Sequence, residues 1–142
     1  MSNDRSKRPG RECPLVKTES ALVSVVDDDE SIRESLPALL REFGHSTNVF
    51  SSGEEFLASD CIKQTRCLIV DVFLRGMSGP EFLQLLESRG VHIEVIYITA
   101  HADETLRSRL IEDGAAACLF KPFSDSALIS ALQVALAENG PH

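Results

Sequence analysis

The sequence predicts an α/β domain built on a parallel, doubly wound sheet with helices on both faces. Three observations carry this reading. Five short apolar runs recur along the chain, at residues 21–26, 46–50, 67–70, 95–98 and 117–120. Four of the five are nearly continuous in apolar residues, as strands covered on both faces should be. Amphipathic stretches separate them, and one helix per connection is the arrangement that joins parallel neighbours.

The elements follow in order. Met1 to about Ser20 is polar, holds Pro9-Gly10 and Pro14, and shows no periodicity, so it reads as a flexible leader. It carries five basic residues against three acidic ones, so the chain's formal net charge of −8 leaves −10 on the remainder. The first strand is Leu22 to Val26. Ile32, Leu36, Leu39, Leu40 and Phe43 mark one face of the first helix, with Pro37 inside it. That proline removes one helical hydrogen bond at a cost of ~3 kcal/mol, so a kink or altered turn is expected there. Gly44, Gly90, Gly114 and Gly140 fall where helices should stop. Ser78 before Gly79-Pro80, and Ser124 before Asp125, read as N-caps. Leu128, Ala131, Leu132, Ala135 and Leu136 form the apolar face of the last helix.

Length and composition limit the function. At 142 residues, with 43% hydrophobic and 25% charged residues, the chain matches one globular domain. Its acidity argues against direct nucleic-acid binding or an anionic membrane as partner. No apolar run approaches the ~18 residues of a membrane span, and no apolar segment follows the basic N-terminus as in a signal peptide. The four cysteines (Cys13, Cys61, Cys67, Cys118) form no CxxC pair and no metal-ligand spacing with the histidines, which fits reduced thiols in the cytoplasm. Cys67 and Cys118 lie in apolar runs and read as core.

In doubly wound sheets, function sits at the carboxyl ends of the strands. The first strand ends in Asp27-Asp28-Asp29-Glu30, the third in Asp71, the fourth in Thr99-Ala100 and the fifth in Lys121-Pro122. Each alone has an ordinary explanation, such as acids favouring a helix N-terminus. Together they put carboxylates, a hydroxyl and an amine on one rim. Carboxylates ~4 Å apart repel by about 4 kcal/mol per pair at an effective dielectric near 20. A hard divalent cation such as Mg²⁺ relieves that repulsion. The hydroxyl and ammonium suit phosphoryl oxygens, and an aspartate can form an acyl phosphate.

These motifs resemble the receiver domain of two-component response regulators. The likeness runs over about residues 21–139, with 140–142 as a tail. It rests on Val25-Val26-Asp27-Asp28-Asp29-Glu30, Leu68-Ile69-Val70-Asp71, Gly76-Met77-Ser78-Gly79, Ile96-Tyr97-Ile98-Thr99-Ala100-His101 and Gly114-Ala115 leading to Lys121-Pro122-Phe123. Thr-Ala-His and Lys-Pro-Phe resemble the FixJ-like branch, whose members usually carry a C-terminal helix-turn-helix domain. The resemblance implies a flavodoxin-like sheet of order 2-1-3-4-5 with five helices. It implies that Asp71 accepts a phosphoryl group from a histidine kinase or phosphotransfer protein. Asp28, Asp71 and the Phe73 backbone carbonyl would ligate Mg²⁺, with Asp27 acting largely through a metal-bound water. Thr99 and Lys121 would hold phosphoryl oxygens, Ala100 would leave the pocket open, and the Lys121–Pro122 bond would be cis.

Two positions depart from the family's usual pattern. Cys118 stands where a Tyr or Phe switch residue is usual, and Arg75 where a Pro is common. Phe73 and His101 lie two residues beyond Asp71 and Thr99, positions that influence how long the phosphoryl group lasts. The expected function is a stand-alone receiver acting through an unknown downstream protein or as a phosphate shuttle or sink, with the fourth helix and fifth strand as the surface for a homodimer. It would catalyse only its own phosphorylation and dephosphorylation. The alternatives are the receiver portion of a transcription regulator and a Mg²⁺-dependent aspartate-nucleophile phosphatase. The phosphatase would want Asp-x-Asp where this chain has Asp71-Val72-Phe73. A flavin carrier would need a hydroxyl- and glycine-rich loop where four acids stand.

Overall fold

A computed structural model describes residues 22–138. The expected leader and C-terminal tail, and with them Cys13 and Gly140, lie outside the described residues. Five strands form one parallel sheet in the order β2-β1-β3-β4-β5, with β1 at Leu22–Val26, β2 at Ser46–Phe50, β3 at Thr65–Asp71, β4 at Glu94–Thr99 and β5 at Ala117–Phe120. The connections carry α1 (Glu30–Glu42), α2 (Gly53–Leu57), α3 (Gly79–Ser88) and α4 (Glu104–Glu112), and α5 (Asp125–Glu138) closes the fold. The predicted order and strand positions match. β3 and β4 run one or two residues beyond their apolar cores, so β3 includes Asp71 itself.

Alternating side chains divide the core between the two sheet faces. Val26, Phe50, Phe56, Leu68, Val70, Phe82 and Tyr97 pack on one side. Val23, Val25, Leu40, Ile69, Ile96, Ile98, Leu128 and Leu132 pack on the other. Phe56 meets Phe50 and Phe82 edge-on, with ring centroids 5.2 and 5.8 Å apart. α2 is a single short turn-and-a-half, continued by a 3₁₀ turn at Ile62–Gln64 before β3. No helix among the described residues is long and apolar enough to cross a membrane.

Local signals act where expected. Asp29, Ser52, Ser78 and Asp103 accept backbone N–H bonds at the starts of α1 to α4, and Ser78 with Glu81 forms a full capping box. Ser124 Oγ accepts from Ala127 N–H at the start of α5. Gly90 and Gly114 end their helices with positive φ, a conformation that side chains resist. α1 runs unbroken through Pro37, so the proline does not interrupt the element. Cys61, Cys67 and Cys118 are buried free thiols, and burial pushes the Cys67 thiol up to about 12.

Gly79 joins the fold to the rim. A Cβ at this position would stand 2.8 Å from the Asp71 backbone oxygen and 2.9 Å from the Tyr97 ring. The start of α3 is thereby pressed against the end of β3. Gly→Ala in a helix ordinarily gains about 0.5–1 kcal/mol. Here Gly79→Ala is expected to lose about 1–3 kcal/mol through overpacking against backbone, read as a lower urea midpoint.

Candidate functional site

The site is built at the carboxyl end of the sheet by β1, β3, β4 and β5. Asp27 follows β1 and is fully buried. Its backbone N–H is held by the carbonyl of Phe50 at 3.1 Å, and its own carbonyl accepts from Arg33 at 2.8 Å. Its Oδ1 accepts the Asp29 N–H at 2.8 Å. Its Oδ2 forms an ion pair with Lys121 Nζ at 3.0 Å, yet makes no hydrogen bond of ordinary geometry. Asp71 ends β3, with Oδ1 accepting the Phe73 N–H at 3.0 Å and Oδ2 lying 3.4 Å from Lys121 Nζ. Asp28 is half-exposed beside them. One carboxylate oxygen from each of Asp27, Asp28 and Asp71 lies within 4.8 Å of the others.

Asp29, though adjacent in sequence, is outside this triad. It caps α1 through Ser31, whose hydroxyl and N–H hold its carboxyl below the usual range, and it lies 3.9 Å from Lys121. Burial pushes the Asp27 carboxyl up to about 6, against the opposing pull of the Asp29 N–H and Lys121. Burial alone would lower the Lys121 ammonium, but the hydrogen bonds and charges of Asp27 and Asp71 outweigh it and raise Lys121 above its ordinary range.

Thr99 ends β4 and is fully buried. Its Oγ1 accepts the His101 N–H at 3.0 Å, which leaves the hydroxyl proton free for another acceptor. The Lys121 N–H donates to the Thr99 carbonyl at 2.7 Å, tying the two strand ends together, and the Lys121–Pro122 peptide is cis. Phe73 and His101, two residues beyond Asp71 and Thr99, meet edge-on at 4.7 Å, and Phe73 is half exposed. That contact joins two loops 28 positions apart, so no local pattern could reveal it. A cavity of about 390 Å³ lies away from this rim, lined by Leu83, Tyr97, Leu110 and Asp113 among others.

The donor set fits a hard cation. Three oxygen ligands converge, and the buried Asp27 Oδ2 has only the shared Lys121 ammonium beside it, at 3.0 Å and outside ordinary hydrogen-bond geometry. Such oxygen-only sites suit Mg²⁺. Cys118 lies elsewhere, buried in β5 on the side facing α4. Its carbonyl accepts Arg107 Nε at 3.0 Å, and the Arg107 guanidinium stacks 3.9 Å over the Phe120 ring. Sequence reading missed this Arg107 clamp, because the partners lie on two different elements.

Comparison with known proteins agrees with this geometry. The model of the response regulator receiver domain matches residues 23–133. The transcriptional regulatory protein FixJ of Azorhizobium caulinodans is 39% identical over 121 residues, covering 85% of this chain and 57% of that protein. Nodulation protein W of Bradyrhizobium diazoefficiens is 40% identical over 115 residues, covering 81% of this chain and 51% of that protein. The chain therefore spans between about half and three-fifths of the length of these curated relatives. Among solved structures, FixJ-N superposes with a TM-score of 0.74 at 32% identity, covering 87% of this chain and 98% of that one. The response regulator StyR superposes with a TM-score of 0.77 at 38% identity, covering 84% of this chain and 61% of that one. On its fold, its clustered aspartates and these matches, the chain belongs to the response regulator receiver domain family, close to the FixJ and NodW branch.

Proposed function

We propose that Asp71 accepts a phosphoryl group from a histidine kinase or phosphotransfer protein, with Mg²⁺ as cofactor. The observation that carries this is the convergence of the Asp27, Asp28 and Asp71 oxygens within 4.8 Å, with Lys121 Nζ 3.4 Å from Asp71. An Asp71 carboxylate oxygen attacks phosphorus, the bond from phosphorus to the donor nitrogen breaks, and the imidazole keeps that electron pair. Asp27, Asp28, Asp71 and the Phe73 carbonyl would hold Mg²⁺, which would supply the positive charge that phosphoryl transfer onto a carboxylate needs. Lys121 turns from Asp71 to a phosphoryl oxygen, and the free Thr99 hydroxyl proton is donated to another. The Phe73–His101 contact limits water at the site and lengthens the phosphorylated state.

Receiver domains catalyse their own phosphorylation and dephosphorylation as signalling modules, and they can pair through the α4-β5-α5 face. The matched region covers 57% of FixJ and 51% of nodulation protein W. That favours reading the chain as the receiver portion of a transcription regulator over a stand-alone receiver, reversing the order expected from sequence. Cys118 is the position where the usual aromatic switch is replaced, so the route from Asp71 to the α4-β5-α5 face runs through other residues.

With Mg²⁺ and acetyl phosphate, intact mass should rise by one phosphoryl group, and Asp71→Asn should abolish the increment. Continuous turnover of unrelated phosphate esters would instead indicate a phosphatase. Phe73→Ala should shorten the phosphoryl half-life by about two- to tenfold, the equivalent of an aromatic contact of about 0.5–1.5 kcal/mol, followed by loss of the mass increment with time. In the metal-free protein, Asp27 binds its proton with a pKa of about 6, above the 3.8 of an unperturbed carboxyl. Between these values the native state holds more protons than the unfolded chain, so this group's contribution to stability falls as pH rises from about 4 to 6. Urea midpoints in EDTA should show that slope, and Asp27→Asn should remove it.

A further inference from the structure

The acidic triad has a cationic partner besides Lys121. Arg75 lies in the loop between β3 and α3, immediately before Gly76, whose φ of +81° turns the chain. Both ends of the residue reach one atom. Its backbone N–H donates to Asp28 Oδ2 at 3.3 Å, and its Nε lies 3.6 Å from the same oxygen. The two contacts have separate origins, since any residue except proline supplies the N–H, whereas the guanidinium belongs to arginine.

Resting on the metal-binding reading above, we propose that Arg75 is a built-in competitor of the divalent cation. Its guanidinium neutralises Asp28 in the metal-free protein and raises the cation concentration that the site requires. Lys121 is already shared by Asp27, Asp71 and Asp29, at 3.0, 3.4 and 3.9 Å. Asp28 is not among its partners, so Arg75 is the cation paired with it among the described residues. The Asp28 side chain is 26% exposed, against 0% for Asp27 and 11% for Asp71, so a cation arriving from solvent meets it first. Arriving metal must displace the guanidinium or bind beside its charge, and either weakens binding. The Arg75 side chain is 91% exposed, so it can swing aside without disturbing the core, and water screens the pair. An exposed pair of this kind changes an equilibrium by about two- to fivefold.

Calorimetric titration of the protein with Mg²⁺, and with Mn²⁺ followed by electron paramagnetic resonance, tests this without any phosphodonor. Arg75→Ala and Arg75→Gln keep the backbone N–H and remove the charge. Both should bind the cation about two- to fivefold more tightly than wild type, with the gap closing toward 1 M NaCl. Equal or weaker affinity in Arg75→Ala and Arg75→Gln, alongside saturable wild-type binding that Asp28→Asn abolishes, overturns the role of Arg75 and leaves the metal site standing. Absence of saturable binding in wild type overturns both.

Discussion

Everything at the functional rim depends on an unbalanced charge. Three carboxylates converge; Asp27 and Asp71 share one lysine, Asp28 has only the exposed Arg75, and Asp27 has no exposed surface at all. Burial of this kind is costly unless donors compensate. The fold supplies them from backbone. Asp29 N–H reaches Asp27, Phe73 N–H reaches Asp71, and Arg75 N–H reaches Asp28. Each donor lies in the loop that leaves a strand, where N–H groups are not committed to the sheet ladder. Compensation is nonetheless incomplete, and the raised carboxyl of Asp27 and raised ammonium of Lys121 record it. A site left short of positive charge suits a cation, and the phosphoryl transfer proposed above would have Lys121 exchange one of its two acids for a phosphoryl oxygen.

The scaffold exists to hold that arrangement still. β1 and β3 are buried on both faces and pair directly, which sets Asp27 and Asp71 side by side at their ends. β3 lies at the centre of the sheet, between β1 and β4, so Asp71 stands where core side chains hold both faces. The tight approach of Gly79 to the Asp71 carbonyl and the Tyr97 ring extends this rigidity to α3. Asp71 thus borders directly on β4 and on the start of α3. The β4-to-α4 and β5-to-α5 connections carry exposed residues such as His101, Ala102 and Pro122.

The α4-β5 surface has its own local logic. Cys118 is too small to swing as an aromatic would, and it is buried. Arg107 instead spans from α4 to β5, binding the Cys118 carbonyl and lying flat on Phe120. Phe120 is register-paired with Thr99 and directly precedes Lys121. The clamp thus touches the strand segment that carries the rim lysine, which gives α4 a physical connection to the site that does not pass through the Cys118 side chain.

The sequence by itself determined the sheet, its parallel strands and the rim residues. Apolar runs and their polar ends are local patterns, and a doubly wound sheet brings strand ends to one edge. The capping serines and the terminating Gly90 and Gly114 were legible for the same reason. Pro37 removes one hydrogen bond, yet α1 continues through it, with Leu36 and Leu40 on either side anchored in the core. Tertiary structure decided which of the adjacent acids share a site. Asp28 joins Asp27 and Asp71, while Asp29 turns away to cap α1. It also decided the Phe73–His101 contact, the Arg75–Asp28 pair and the Arg107 clamp. These depend on distances between loops that only the closed fold brings together, and no spacing along the chain encodes them.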